Sequence, residues 1–120
     1  MTVSARNRGA TGVVIDGWSR AIPGILALGF PCFSRGRYAQ DQRTRGTVVD
    51  FRCPVRIGGV DIRPGDAIFG DLDGVVVIPR EIETEVFEGA WSKAHGEKRV
   101  FEAIKGGMSA QEAWDRYGIF

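Results

Sequence analysis

The segment Gly17-Trp18-Ser19-Arg20 follows the apolar run Val13-Val14-Ile15 and leads into a helix-forming stretch. The C-terminal edge of a strand is a common ligand crevice, and free N–H groups at a following helix start favour an anion there. Arg20 adds a permanently charged, forked donor that matches a carboxylate. A purely structural alternative is an ion pair between Arg20 and Asp16 or another neighbour. Asp66, Asp71 and Asp73 cluster near glycines, which suits either a metal or tight turns, and turn chemistry accounts for them more simply. His95 reads as a solvated residue on a polar helix face. Trp18, Trp91 and Trp114 read as core or interface rings rather than ligand-stacking ones. No nucleophile elbow, phosphate-binding Walker loop, dinucleotide fingerprint or His-Glu-x-x-His occurs.

The elements that must position these groups follow from pattern. Residues up to Arg8 read as the tail of a helix closed by Gly9. Gly12–Asp16 is a continuous apolar run, the pattern of a strand buried on both faces. Ser19 is the expected cap of a short helix from Arg20 to Leu28, with Pro23 in its first turn and Gly29 as its stop. Phe30–Ser34 predicts a strand, Arg35–Gly46 a long polar loop of the kind that carries binding groups, and Thr47–Phe51 a further strand. Pro54–Ile62 predicts a hairpin around Gly58-Gly59, with Ile57 facing Val60, Val55 facing Ile62 and Arg56 paired with Asp61. Arg63-Pro-Gly-Asp66 is a type II turn signal. Strands at Ala67–Gly70 and Val75–Ile78 follow, joined through Asp71–Gly74. A helix then opens at Pro79, carries a kink near Gly96 and ends at Gly106-Gly107. Ser109-Ala-Gln-Glu112 is a capping box for a last helix ended by Gly118. The sum is a mixed α/β chain rather than a regular βαβ alternation.

Composition fits one ordinary domain. Of 120 residues, 43% are hydrophobic and 26% charged, which excludes a disordered chain. The net charge of +1 argues against a nucleic-acid partner. No apolar run approaches the roughly 20 residues of a membrane span, so no membrane partner is expected. Cys32 and Cys53 lie too far apart for a redox or zinc motif, and together with a start lacking a secretory h-region they suggest a cytoplasmic location. The 17 glycines are about double the usual 7% and imply a turn-rich fold.

Four segments occur in order: Gly12-Val-Val-Ile-Asp-Gly-x-x-Arg20, Gly29-Phe-Pro-Cys-Phe-Ser-Arg-Gly36, Pro54-Val-x-Ile-Gly-Gly-Val60, and Pro64-Gly-Asp-x-Ile-Phe-Gly-Asp-x-Asp-Gly-Val-Val-Val-Ile-Pro79. Together they closely resemble the RraA-like family, which includes the 4-hydroxy-4-methyl-2-oxoglutarate/4-carboxy-4-hydroxy-2-oxoadipate aldolases and the regulators of ribonuclease activity A. Members were formerly labelled demethylmenaquinone methyltransferases, but nothing in this chain looks like a Gly-rich methyl-donor site. The resemblance implies a swivelling-type β/β/α domain with a hairpin-rich sheet flanked by helices and a C-terminal helical pair. It also implies a homo-oligomer, a trimer or hexamer, with active sites at subunit boundaries.

In aldolase members a Gly-x-x-Arg-Asp motif holds the site. Its Arg binds the carboxylate of a small 2-oxo or hydroxy acid, and its Asp holds Mg2+ or Mn2+ as a Lewis acid. Carried over, the substrate-binding residues are Gly17 and Arg20, with Arg20 the catalytic one. The metal-binding Asp falls on Ala21, whose methyl group cannot coordinate a hard ion, and Asp16 is a weak substitute. Residues 1–120 then correspond to one domain, the C-terminal part of a family member whose N-terminal half is missing. The expected activity is retro-aldol cleavage to pyruvate, oxaloacetate decarboxylation, or both, impaired by Ala21. The alternatives are a non-catalytic, protein-binding regulator of the ribonuclease-inhibitor kind and an inactive truncated homologue.

Overall fold

The computed structural model describes residues 1–118 as two compact units, residues 1–79 and residues 80 onward. The first unit begins with helix α1 (Thr2–Asn7), which Gly9 terminates with a φ of 89°. The Arg6 guanidinium donates to the Leu28 carbonyl at 2.8 Å and ties this helix to the end of α2 (Ile22–Ala27). Strand β1 (Val13–Ser19) pairs in parallel with β2 (Cys32–Arg37). Both run further than their apolar residues suggest.

A bulge explains the extension of β1. Ile15 lies opposite Ser34, whereas Trp18 lies opposite Gly36, so Asp16 and Gly17 together face the single residue Arg35. One extra residue resets the alternation of faces. Ser19 thereby turns inward and is buried, while Trp18 faces out and is 62% exposed. Val13 is also exposed, so among the described residues β1 is half-buried rather than covered on both faces.

The hairpin of β3 (Val55–Ile57) and β4 (Val60–Ile62) has the expected register, with Arg56 forked onto Asp61 at 2.8 and 3.1 Å. Gly58 and Gly59 have φ of 59° and 86°, the left-handed pair that a type I′ turn needs. Strands β5 (Ala67–Gly70) and β6 (Val75–Ile78) form a second antiparallel pair. Asp71 closes their turn by accepting from the N–H groups of Asp73 and Gly74, and Asp66 accepts from the N–H of Arg63. These acids serve turns. The ring of Phe33 lies on Gly70, where a Cβ would stand 2.6 Å from Phe33 Cζ, so β2 and β5 meet through a residue that must lack a side chain.

Two sequence expectations fail here. Thr47–Phe51 is irregular chain with Val48 and Val49 exposed, so apolar content without a pairing partner does not make a strand. Ser19 does not cap α2: it ends β1, and the position before α2 is Ala21, which makes no side-chain cap.

In the second unit a short 3₁₀ turn (Arg80–Ile82) leads into α3 (Glu83–Lys105), continuous through Gly96. Gly107, at a φ of 102°, ends it while its N–H bonds the Ile104 carbonyl. Helix α4 (Ala110–Tyr117) carries the full capping box: Ser109 Oγ accepts from the Glu112 N–H, and the Glu112 carboxylate accepts from the Ser109 N–H. Those bonds hold the Glu112 carboxyl below its ordinary range. Helices α3 and α4 pack on one another, with Val100 and Ala113 buried. His95 is exposed and bonded to the Trp91 carbonyl. All three tryptophans are exposed among the described residues, contrary to a core assignment. None of the described helices is long and apolar enough to cross a membrane.

Candidate functional site

The C-terminal ends of β1 and β2 are locked together, and this fixes where Arg20 emerges. The Tyr38 N–H donates to the Ser19 carbonyl at 2.9 Å. The Ser19 hydroxyl meets Ser34 Oγ at 3.0 Å and donates to the Gly36 carbonyl at 3.4 Å. A buried hydroxyl with partners on the neighbouring strand stabilises the strand end rather than leaving an orphan polar group. The Trp18 ring is seated directly on Gly36, where a Cβ would stand 2.6 Å from Cζ3 and 2.9 Å from Cε3. Tyr38 closes the other side, its ring centroid 6.4 Å from that of Trp18 at 56°.

Next to this aromatic pair lies an open cleft of about 700 Å3, lined also by Gln40, Asp41, Gln42 and Arg45 of the loop after β2. Arg20 borders it through Asp41: Nη2 donates to Oδ2 at 2.7 Å. Asp41 is itself shaped by the loop, its Oδ1 accepting from the Arg43 N–H at 3.0 Å. That backbone bond is the main cause that lowers the Asp41 pKa; desolvation opposes it, and the Arg20 charge and the Gln42 N–H add smaller lowering effects. Asp41 is therefore a carboxylate at neutral pH. Of the structural alternative, an ion pair of Arg20 with Asp16 or another neighbour, the structure has Arg20 paired with Asp41, while Asp16 is paired with Arg35.

Gly17 sits in the bulge and does not line the cleft. The sequence places Tyr38, Asp41 and Arg45 in a polar loop without singling them out as site residues. The available signal was its polar, aperiodic composition between two strands.

Ala21 adopts φ 59° and ψ 36°, a left-handed conformation that costs an alanine about 1 kcal/mol and that Asp, Asn and Gly adopt more readily. We expect Ala21→Gly to raise the unfolding free energy by about 0.5–1 kcal/mol, read from urea melts followed by circular dichroism.

The donor set does not fit Mg2+ or Mn2+. Such ions take oxygen ligands, commonly one or two carboxylates with waters. Position 21 offers a methyl group, Asp16 is engaged by Arg35, and Asp41 is engaged by Arg20. Among the described residues no three His, Cys, Asp or Glu side chains come together to hold a metal.

A family model described as RraA-like, aldolase/RraA, matches residues 1–77, which contain the whole cleft. The chain belongs to the RraA-like family. It is 38% identical over 110 residues to a protein of Halalkalibacterium halodurans that bears the name of a 4-hydroxy-4-methyl-2-oxoglutarate aldolase, covering 92% of this chain and 52% of that one. It is 33% identical over 111 residues to an uncharacterized protein of Methanocaldococcus jannaschii, covering 92% and 53%. A crystal structure of an uncharacterized Pseudomonas syringae protein superposes with a TM-score of 0.90 at 36% identity, over 94% of this chain and 56% of that one. This RraA-like chain thus spans about half the length of these relatives, and it shares the mixed α/β fold of the Pseudomonas syringae structure.

Proposed function

We propose that this chain carries the carboxylate-binding part of a pyruvate-forming carbon–carbon lyase site, acting on short 2-oxo and hydroxy-oxo dicarboxylic acids with impaired turnover. The observation that carries the reading is Arg20 at the joined ends of β1 and β2, beside a cleft large enough for such an acid. Arg20 takes the carboxylate next to the 2-oxo group, where its fork fixes both oxygens. Trp18 and Tyr38 form an apolar wall on one side. Arg45 supplies a second positive charge to the same cleft, suited to the distal carboxylate of a dicarboxylic acid. In the retro-aldol step the C4 hydroxyl gives its proton to water as C4 becomes a carbonyl, the C3–C4 bonding electrons pass to C3 to form the pyruvate enolate, and C3 then takes a proton from water. A guanidinium beside the enolate unit favours the developing charge.

Impairment follows from Ala21, which removes the acid that the resemblance puts there, and from a donor set unsuited to a divalent ion. Pyruvate release from 4-hydroxy-4-methyl-2-oxoglutarate, coupled to lactate dehydrogenase in the presence of Mn2+, is expected well below one turnover per second. A rate within the ordinary enzyme range of about 1–10³ per second would overturn the impairment. The same two features favour a second reading, a non-catalytic 2-oxo acid or protein-binding regulator. Acid binding by calorimetry with no pyruvate released would select it. Assembly into a homo-oligomer belongs to this proposal because the family resemblance implies it, and a cytoplasmic location because of the cysteine usage and the start without a secretory h-region.

A further inference from the structure

We propose that Asp41 is a built-in competitor for the anion seat on Arg20, so that a substrate carboxylate binds by displacing the Asp41 carboxylate. The inference rests on Arg20 being the substrate anchor and concerns how access to it is regulated.

Three observations support it. Asp41 presents to Arg20 the same group that a 2-oxo acid presents, at 2.7 Å, in the wall of the cleft the acid would enter. The pair is open to water on both sides, with side chains 53% and 57% exposed, so its net strength is small and exchange with a free anion is easy. Finally, Asp41 stands on a loop with its own internal fixings, so it needs no Arg20 to keep its shape. Its Oδ1 holds the Arg43 N–H, the Arg45 N–H bonds the Gln42 carbonyl, and Thr44 is held at φ 66°. A β-branched residue in that region is strained and persists only where the surroundings fix it. Asp41 is thus a positioning residue acting through Arg20, and its charge sets the affinity of the anion seat.

The competition bears on every acid alike. An incoming acid must outcompete a carboxylate already seated, and this lowers the affinity of monoanions and dicarboxylates by the same factor. A dicarboxylate that also engages Arg45 meets that competition with two contacts.

The test is calorimetric titration of the whole chain with 2-oxoglutarate and with pyruvate. Asp41→Asn keeps an oxygen for the Arg43 N–H while removing the charge, so the loop is preserved. We expect it to tighten 2-oxoglutarate binding about three- to tenfold, the scale of an exposed ion pair plus removal of a neighbouring negative charge. Its benefit to pyruvate is expected to be of about the same size, since both acids displace the same carboxylate. Asp41→Glu, which restores the charge, should return affinity to within about twofold of the parent. Asp50→Asn, a loss of charge in the same connection without a contact to Arg20, should change affinity by less than about twofold.

If Asp41→Asn binds no more tightly than the parent while Arg20→Ala abolishes binding, the competitor is refuted and the anion seat stands. Equal tightening by Asp41→Asn and Asp50→Asn would also refute it, reducing the effect to net charge. If neither parent nor Asp41→Asn binds either acid, the reading of Arg20 as anchor falls, and the competitor with it.

Discussion

Arg20→Ala is expected to weaken binding of pyruvate-type acids about ten- to a hundredfold while leaving the fold in place. The size follows from charge-assisted hydrogen bonds, worth about 1.5–3 kcal/mol when one partner is removed. The absence of a folding penalty follows from the geometry: Arg20 is half exposed, and its bond to Asp41 is an open, solvent-screened surface pair that adds little to stability. Isothermal titration calorimetry and a thermal melt on the same sample separate the two effects. Arg20→Lys retains the charge but not the planar fork, so an intermediate loss is expected. Unchanged affinity in Arg20→Ala would remove the anchor on which the proposed activity rests.

The second large effect is expected at a residue with no side chain. Gly36→Ala places a methyl group 2.6 Å from Trp18 Cζ3, a distance that non-bonded carbons do not tolerate. The exposed ring must swing off β2, and an alanine at φ 156° is strained in its own right, which together cost about 1–3 kcal/mol. The cleft then loses its aromatic wall, so acid binding should fall severalfold together with stability. Removing the ring relieves the clash: Trp18→Ala in the Gly36→Ala background should be no less stable than Gly36→Ala alone. Double-mutant melts in urea measure that coupling directly. Additive losses would mean that the ring and the glycine do not constrain each other.

Much of the fold is legible in local chemistry. The Gly58-Gly59 turn, the paired strands β5 and β6, and the Ser109–Glu112 box are fixed by neighbours within a few residues, and each falls where its residues predict. What escapes the sequence depends on partners far along the chain. The bulge at Asp16-Gly17 exists only against β2, so nothing local announces that β1 continues to Ser19 or that the Ser19 hydroxyl turns to Ser34. Arg20 is legible as the candidate anion seat because its type and position single it out. Asp41 is not, since it lies twenty-one residues away on a loop whose path no periodicity records. Thr47–Phe51 marks the opposite error, an apolar stretch with no strand to join.

The left-handed backbone at Ala21 has a practical side. Asp, Asn and Gly enter that conformation at lower cost than alanine, so the main chain here is open to a residue of another type. An acidic side chain can be installed at this point by one substitution whose backbone preference matches the shape already present.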